Sequence, residues 1–142
     1  MELVVSLARQ LHEWTLPEHR MVTLVEASRR MGQAPFLPPN VGGWPHGRDW
    51  LHGANLVERV NTGAALVDDA ADHILAEVGA PADAEELLRS CLAAIDLGDL
   101  SEESRRIAMA HAAPIVSETS DPAERARQLL SLLVTAPEFH YC

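Results

Sequence analysis

The chain has 142 residues, of which 11 are arginine, none is lysine and 21 are acidic, so its formal net charge at pH 7 is −10. This length suits one domain with a single core, in which roughly two thirds of the unfolded surface can be buried. The charge balance, together with the absence of a basic cluster and of an apolar run of ~20 residues, argues against nucleic-acid binding, attraction to an anionic membrane and membrane insertion.

Two amphipathic helices are predicted in the first part of the chain. In the first, apolar residues recur at helical spacing from Leu3 to Trp14. The second begins at Thr15-Leu16-Pro17-Glu18, which combines a capping box with a proline in the first turn. Gly32 is expected to end it in the left-handed conformation. The face predicted to meet the core consists of Met21, Leu24, Val25, Ser28 and Met31.

A third, long helix is predicted from Leu56 to Val78, with Gly63 as a residue that could break or bend it. An acidic group lies on it, in which Asp69 and His73 have a spacing that can hold a metal ion. A solvated helix face is the favoured interpretation, because no second ligand pair accompanies them. The stripe expected to face the core is Leu56, Val57, Val60, Ala64, Val67, Ile74, Leu75 and Val78, and the acidic group is Asp68, Asp69, Asp72 and His73.

Three more helices are predicted to begin at the capping residues Asp83, Ser101 and Asp121. The helix after Ser101 is expected to stop before Pro114. No window alternates between apolar and polar residues, so the prediction is an all-α fold without a sheet, an irregular bundle of about six helices in one domain over residues 1–142. The residues expected to be buried in the first and last of these helices are Leu87, Leu88, Cys91, Leu92, Ile95, Ala126, Leu129, Leu130 and Leu133.

A loop rich in proline, glycine and aromatic residues occupies positions 31–50, which hold four of the nine prolines and four of the eight glycines. Pro38-Pro39 favours an extended segment, and the following Asn40-Val41-Gly42-Gly43 favours a sharp turn. At least one of the two glycines is expected to have a positive φ.

Two interpretations of this loop remain open. In the favoured one, Phe36, Trp44 and Trp50 close the open end of the bundle, so that Trp44→Ala would destabilise the fold by roughly 3–5 kcal/mol. In the other, the loop lines a cleft and binds a ligand or partner. The candidate binding residues are then Asn40, Trp44, His46, Arg48, Asp49 and Trp50.

The loop and the end of the chain resemble a known family. The run from Met31 to Leu51, with its Pro-Pro-Asn-Val and Gly-Gly-Trp-Pro, is followed by Arg59 and Asn61 and is similar to the signature of the bacterial DUF1800 family. The closing Thr135-Ala136-Pro137-Glu138-Phe139 also resembles the family's usual end, with Ala136 where serine is common. The positions carried over as structural motif are Gly32, Pro39, Gly42, Gly43, Pro45, Arg59 and Asn61.

The resemblance implies a mostly helical bacterial protein of uncharacterised function. Such proteins are often exported, although this chain itself carries no recognisable signal, and they are often encoded beside a second family similar to sulfatases and alkaline phosphatases. Family members run to several hundred residues, so the chain is expected to correspond to the carboxyl-terminal part of the family domain. Missing helices are then expected to leave an apolar patch exposed, above all on the Leu3–Trp14 helix.

Two functions are therefore considered. The first is a helical interaction or scaffold domain whose Trp44 loop docks a partner protein, with the phosphatase-like neighbour as the candidate by resemblance. The alternative is an enzyme, such as a hydrolase, or the remnant of one, in which His46 and Asp49 act as acid and base and Arg48 binds an anion. No cofactor or metal is expected, since His46 and His52 lack further ligands and Cys91 lies on an apolar stripe.

Overall fold

The structure, a computed structural model, describes residues 18–34, 36–38, 40–44, 53–69 and 76–141. No β-strand occurs in these ranges, where the β-type pairing is one isolated antiparallel bridge between Asn40 and Gly43. The predicted all-α fold is confirmed. The helices are α1 Glu18–Arg30, α2 Gly53–Asp69, α3 Ala84–Ala94, α4 Glu102–Glu118, α5 Pro122–Leu133 and α6 Pro137–Tyr141.

Side-chain caps define the starts of three helices. The Asp83 carboxylate accepts a hydrogen bond from the backbone N–H three residues further on, at 2.8 Å, and opens α3. Ser101 does the same for α4 at 3.2 Å. Asp121 accepts from the N–H two residues further on, at 3.1 Å, and Pro122 follows in the first turn of α5. All three predicted starts are confirmed, because a cap satisfies backbone donors within its own turn.

The main core lies where α3, α4 and α5 pack against one another, with α2 joined to it through α5. Leu87 and Leu88 of α3 and Leu129 and Leu130 of α5 are fully buried there. The burial predicted for α3 and α5 is therefore confirmed, except that Leu92 is only partly buried against this core. Burying one such side chain contributes about 1.5–3 kcal/mol, which makes this the most stable part of the described chain.

Helix α4 continues through Pro114, so the prediction that it ends before this residue was wrong. Proline removes one backbone N–H, and the carbonyl that would have accepted from it belongs to Ala110. Both residues are exposed, so water can hydrate that carbonyl. Beyond the proline, Ile115 and Val116 pack against the main core and hold the last turn of the helix in place.

Helix α1 buries a narrower face than predicted. Ala27 and Met31 are buried and pack with Leu24, whereas Met21 and Val25 are exposed. The prediction of burial was therefore wrong for Met21 and Val25. The principal described neighbour of α1 is α2, and a helix with one neighbour covers only a narrow arc of its surface.

Helix α2 is also rotated relative to the predicted stripe. Its buried face includes Arg59, Leu66 and Val67, while Leu56 and Val57 are exposed, contrary to the prediction. The helix runs through the buried Gly63, so this residue does not break it. The face of α2 that is buried is the one that carries Arg59. The long side chain of Arg59 reaches the carboxyl-terminal helix instead of solvent.

Two predictions for the first part of the chain lie outside the described residues, as do Ile74 and Leu75 of the stripe predicted for the third helix. The two predictions are the Leu3–Trp14 helix, with the apolar patch expected on it, and the capping sequence that starts at Thr15. Among the helices that the structure describes, none is both long and apolar enough to cross a lipid bilayer.

Candidate functional site

The loop begins at a left-handed glycine, as predicted. Gly32 has a φ of 72°, its N–H donates to the carbonyl of Arg29 at 2.9 Å, and the N–H of Gln33 donates to that of Ser28 at 2.8 Å. These two bonds form a Schellman motif, which satisfies the last carbonyls of α1. The side chain of Gln33 is buried. The loop therefore leaves the helix in a fixed direction.

Phe36, the first aromatic residue of the loop, points into solvent. Its side chain is 94% exposed, and Leu37 beside it is 63% exposed. The proposed role of Phe36 in closing the bundle is therefore wrong. Its φ of 61° lies in the left-handed region, which costs a residue with a side chain about 1 kcal/mol or more. A hydrogen bond from the N–H of Leu37 to the carbonyl of Ala34, at 3.2 Å, closes the turn that holds Phe36.

A second turn follows at Asn40. The Asn40 side-chain oxygen accepts from the N–H of Gly42 at 2.7 Å, and its carbonyl accepts from that of Gly43 at 3.1 Å. Gly43 has a φ of 92°, which confirms the prediction of positive φ within the glycine pair. The turn leaves Val41 fully exposed at its tip. Asn40 thus serves to close the turn, because its side chain already accepts from the backbone.

Trp44 is half-buried, and it is the last residue of the loop that the structure describes. Its predicted role in closing the open end of the bundle, and the large cost predicted for Trp44→Ala, stay predictions. The other candidates lie outside the described residues, as do two motif positions, so the suggested acid, base and anion-binding roles also stay predictions. These residues are Pro39, Pro45, His46, Arg48, Asp49, Trp50 and His52.

Arg59, one of the two motif residues on α2, forms a buried polar contact with the end of the chain. Its Nε donates to His140 Nδ1 at 3.4 Å, and its terminal Nη2 donates to the His140 carbonyl at 3.2 Å. Both residues are 5% exposed. The contact joins positions 81 residues apart and connects Arg59 of the first motif to the residue that directly follows the closing motif.

The electrostatics of this contact favour a neutral imidazole. Burial, with the Arg59 charge second, lowers the pKa of His140 from 6.5 to about 4, and the Val134 carbonyl offsets part of this shift. Burial also lowers the pKa of Arg59, although an arginine keeps its charge at any ordinary pH. Because Nδ1 accepts a hydrogen bond, the ring proton is on Nε2, which has no well-formed hydrogen bond within the described residues.

Glu138, two residues before His140, attaches the same short helix to the start of α4. One carboxylate oxygen accepts from the N–H of Ser101 at 3.1 Å, and the other accepts from the hydroxyl of Ser104 at 3.0 Å. Hydrogen bonding by Ser101, its side chain first, lowers the pKa of Glu138 from 4.5 to about 2. Phe139, between the two polar residues, is buried in the main core. Helix α6 is thereby fixed on three sides.

A shallow groove separates α1 from α2 and encloses about 140 Å³. Asn61, the second motif residue of α2, lies on it and is exposed. An ion pair between Arg30 and Glu58, at 2.6 Å, crosses from one helix to the other beside the groove. Since these two charges neutralise each other and the volume is small, the groove resembles a packing defect more than a ligand site.

The other constellations are Cys91 and the acidic group on α2, which the structure describes only in part. Cys91 is fully buried, and burial raises the pKa of its thiol to about 12, so it is a core residue as predicted. Asp68 is exposed, whereas Asp72 and His73 lie outside the described residues. Within the ranges that the structure covers, no group of three metal-ligating side chains comes together.

Sequence reasoning missed the two main features of this region. Phe36 was placed in the core because a large aromatic residue is usually buried. The positive φ of Phe36 turns this side chain outward. The sequence contains no signal for it other than the position of Phe36 between two prolines. The role of His140 was missed as well. The charged Arg59 within an apolar helix was a usable signal, because a buried charge requires a partner elsewhere.

Comparison with known proteins gives one result. A family model described as a protein of unknown function, DUF1800, matches residues 1–141. No curated protein and no solved structure matches the chain.

Proposed function

The chain belongs to the DUF1800 family, and we propose that it is a helical interaction domain that docks a partner protein through its loop. The docking residues are Phe36, Leu37 and Val41, which together are called the loop surface. The exposure of the Phe36 side chain is the observation that carries this proposal.

The loop surface makes little contribution to folding. An aromatic side chain that is 94% exposed gains almost no burial energy, and the left-handed backbone beneath it opposes folding by about 1 kcal/mol. Strained residues persist where the surrounding structure holds them, and they are concentrated at functional positions. An exposed phenylalanine on a fixed turn suits a partner's pocket, because it loses little conformational entropy on binding.

The chemistry of the loop indicates the kind of partner. Residues 31–44 contain no charged side chain in a chain with a net charge of −10, so the complementary surface is expected to be apolar and uncharged. Pro38 is exposed and lacks an N–H, so a partner would donate hydrogen bonds to the loop carbonyls instead of accepting them. By family resemblance, the phosphatase-like protein encoded nearby is the first candidate.

Photo-crosslinking tests the proposal directly. p-Benzoylphenylalanine in place of Phe36 is expected to give a discrete crosslinked protein when the domain is produced in its native host. The same amino acid in place of Ile107, an exposed apolar residue on α4, is the matched control. Equal labelling at the two positions, or none at position 36, would contradict the proposal.

Binding of the captured protein can then be measured with purified variants. Phe36→Asn removes the ring and suits a left-handed backbone, so it is expected to lower the affinity at least tenfold while the melting temperature is kept or raised. Ile107→Ser is expected to bind like the parent. A Phe36→Asn domain with parental affinity would show that this side chain is not part of the interface.

A further inference from the structure

We propose that Arg59 and His140 form an acid-sensitive latch between α2 and α6, which opens when His140 takes up a proton. It is independent of the loop surface, because it involves Arg59 in the first half of α2 and His140 of α6.

The hydrogen-bond pattern requires a neutral ring. Arg59 is a permanent cation and donates from Nε to His140 Nδ1, which can accept only while it carries no proton. A protonated ring would lose this bond and bring two positive charges into contact. The hydrogen bond from Arg59 Nη2 to the His140 carbonyl could still form. It would, however, keep the two positively charged side chains next to each other. Since both side chains are almost completely buried, solvent cannot screen this repulsion.

Within the part of the chain that the structure describes, the groups next to His140 do not compensate for a second positive charge. On α6 itself, the Glu138 carboxylate is directed to Ser101 and Ser104 at the start of α4. Phe139 offers an aromatic ring, its centroid 5.5 Å from that of His140, and Val134 offers a backbone carbonyl. Among the described residues, no carboxylate forms an ion pair with Arg59 or His140.

The direction and range of the pH effect follow from linkage. In the closed state the pKa of His140 is lowered to about 4, whereas in an opened state it returns towards 6.5. The neutral, closed form is therefore fully favoured above pH 6.5, and between these two values opening becomes about tenfold more favourable for each pH unit of acidification. Below the closed-state pKa there is no further change.

Glu138 provides a fixed attachment throughout this range. Its pKa of about 2 keeps the carboxylate charged, so its bonds to the start of α4 persist while the contact with α2 is lost. Acidification therefore separates α2 from the end of the chain without detaching α6 from the main core.

Hydrogen exchange tests the latch in the intact chain. Between pH 7 and pH 5, after correction for the intrinsic exchange rate, peptides covering the first half of α2 and α6 are expected to lose about 20-fold in protection. His140→Asn supplies an amide oxygen near the position of Nδ1 but does not titrate, so its protection is expected to stay constant. His111→Asn removes an exposed histidine of α4 and is expected to behave like the parent.

Constant protection in the parent, or the same loss in His140→Asn, would overturn the proposal. A second measurement covers the case in which that variant does not fold. In the parent protein, nuclear magnetic resonance titration of the His140 ring is expected to show a midpoint below pH 5, and a midpoint near 6.5 would overturn the latch.

Discussion

Among the described residues, two with side chains, Phe36 and Asp96, have left-handed backbone conformations, with φ values of 61° and 47°. Asp96 has a local reason for this geometry. The N–H of Asp96 donates to the carbonyl of Ala93 at 3.1 Å, and the N–H of Leu97 donates to the carbonyl of Leu92 at 3.0 Å. These two hydrogen bonds form the Schellman motif that ends α3. Phe36 ends no helix, which is why its strain points to binding.

Asp96→Gly is expected to stabilise the domain by about 0.5–1 kcal/mol, because glycine adopts the left-handed conformation without strain. The gain is smaller than the strain itself, since glycine also increases the entropy of the unfolded chain. Urea denaturation measures the difference. Asp99→Gly, at an exposed position in the following connection without this geometry, is the control and is expected to destabilise slightly. A ranking in the opposite order would show that the Asp96 side chain itself stabilises the turn.

At the scale of elements, α4 contains an interior proline that its packing tolerates. Pro114→Ala is expected to raise the free energy of unfolding by about 1–2 kcal/mol, less than the full cost of proline in a helix because alanine makes the unfolded chain more flexible. Thermal denaturation of the parent and the variant measures the effect. Ala113→Gly, at the exposed neighbouring position, gives the scale of an ordinary helix-interior substitution. A less stable Pro114→Ala variant would mean that Ile115 and Val116 need the bend to reach the core.

The attachment of α6 to α4 is the second prediction at this scale. Glu138→Gln is expected to cost about 1–2 kcal/mol at pH 7, because two hydrogen bonds to a charged acceptor become weaker. The pKa of Glu138 is lowered from 4.5 to about 2, so the charged form contributes its stability above pH 4.5 and loses it as the pH falls towards 2. The difference between parent and variant should therefore diminish over this interval in urea denaturation.

Glu102→Gln separates specific bonding from a general charge effect in the same experiment. Glu102 is exposed in the first turn of α4 and interacts favourably with the positive end of the helix. A cost of a few tenths of a kcal/mol is expected for it. If the two variants lose the same stability, the hydrogen bonds from Ser101 and Ser104 contribute nothing beyond that charge.

For the whole molecule, the features that the sequence predicts are those decided within a few residues. The caps at Asp83, Ser101 and Asp121 are correct because each acts within one turn, and Gly32 ends α1 for the same reason. The orientation of a helix is decided by its neighbours instead. The apolar period of α1 and α2 indicates a buried stripe. It cannot show that α2 is the principal described neighbour of α1, or that the buried face of α2 carries Arg59.

The candidate site divides in the same way. The turn at Asn40 was predictable from its glycines, because their conformational freedom is local. The exposure of Phe36 was not, since composition favours burial of an aromatic ring. The pairing of Arg59 with His140 joins two distant segments, and a single sequence contains no measure of which segments meet.

The arrangement of the two cores leads to a prediction for the whole molecule. Ala27 and Met31 form a small buried cluster on α1, and the partly buried Leu24 packs against both this cluster and the main core around α3 and α5. Helix α1 buries few large side chains and leaves Met21, Val22 and Val25 exposed. We expect it to open locally while the main core stays folded, because regions with little buried apolar surface open at a lower free energy.

Native-state hydrogen exchange at increasing urea concentrations measures these openings. Amides of α1 are expected to exchange with a free energy at least 1–2 kcal/mol below that of α3 and α5, and with a smaller dependence on urea, because less surface becomes exposed. Ala27→Gly should lower the opening free energy of the α1 amides and leave that of the α5 amides unchanged. Leu130→Ala should lower the opening free energy of both helices, since Leu130 is central to the main core. If the amides of α1 and α5 share one opening free energy, the described chain unfolds as a single cooperative unit and the small cluster is an integral part of the main core.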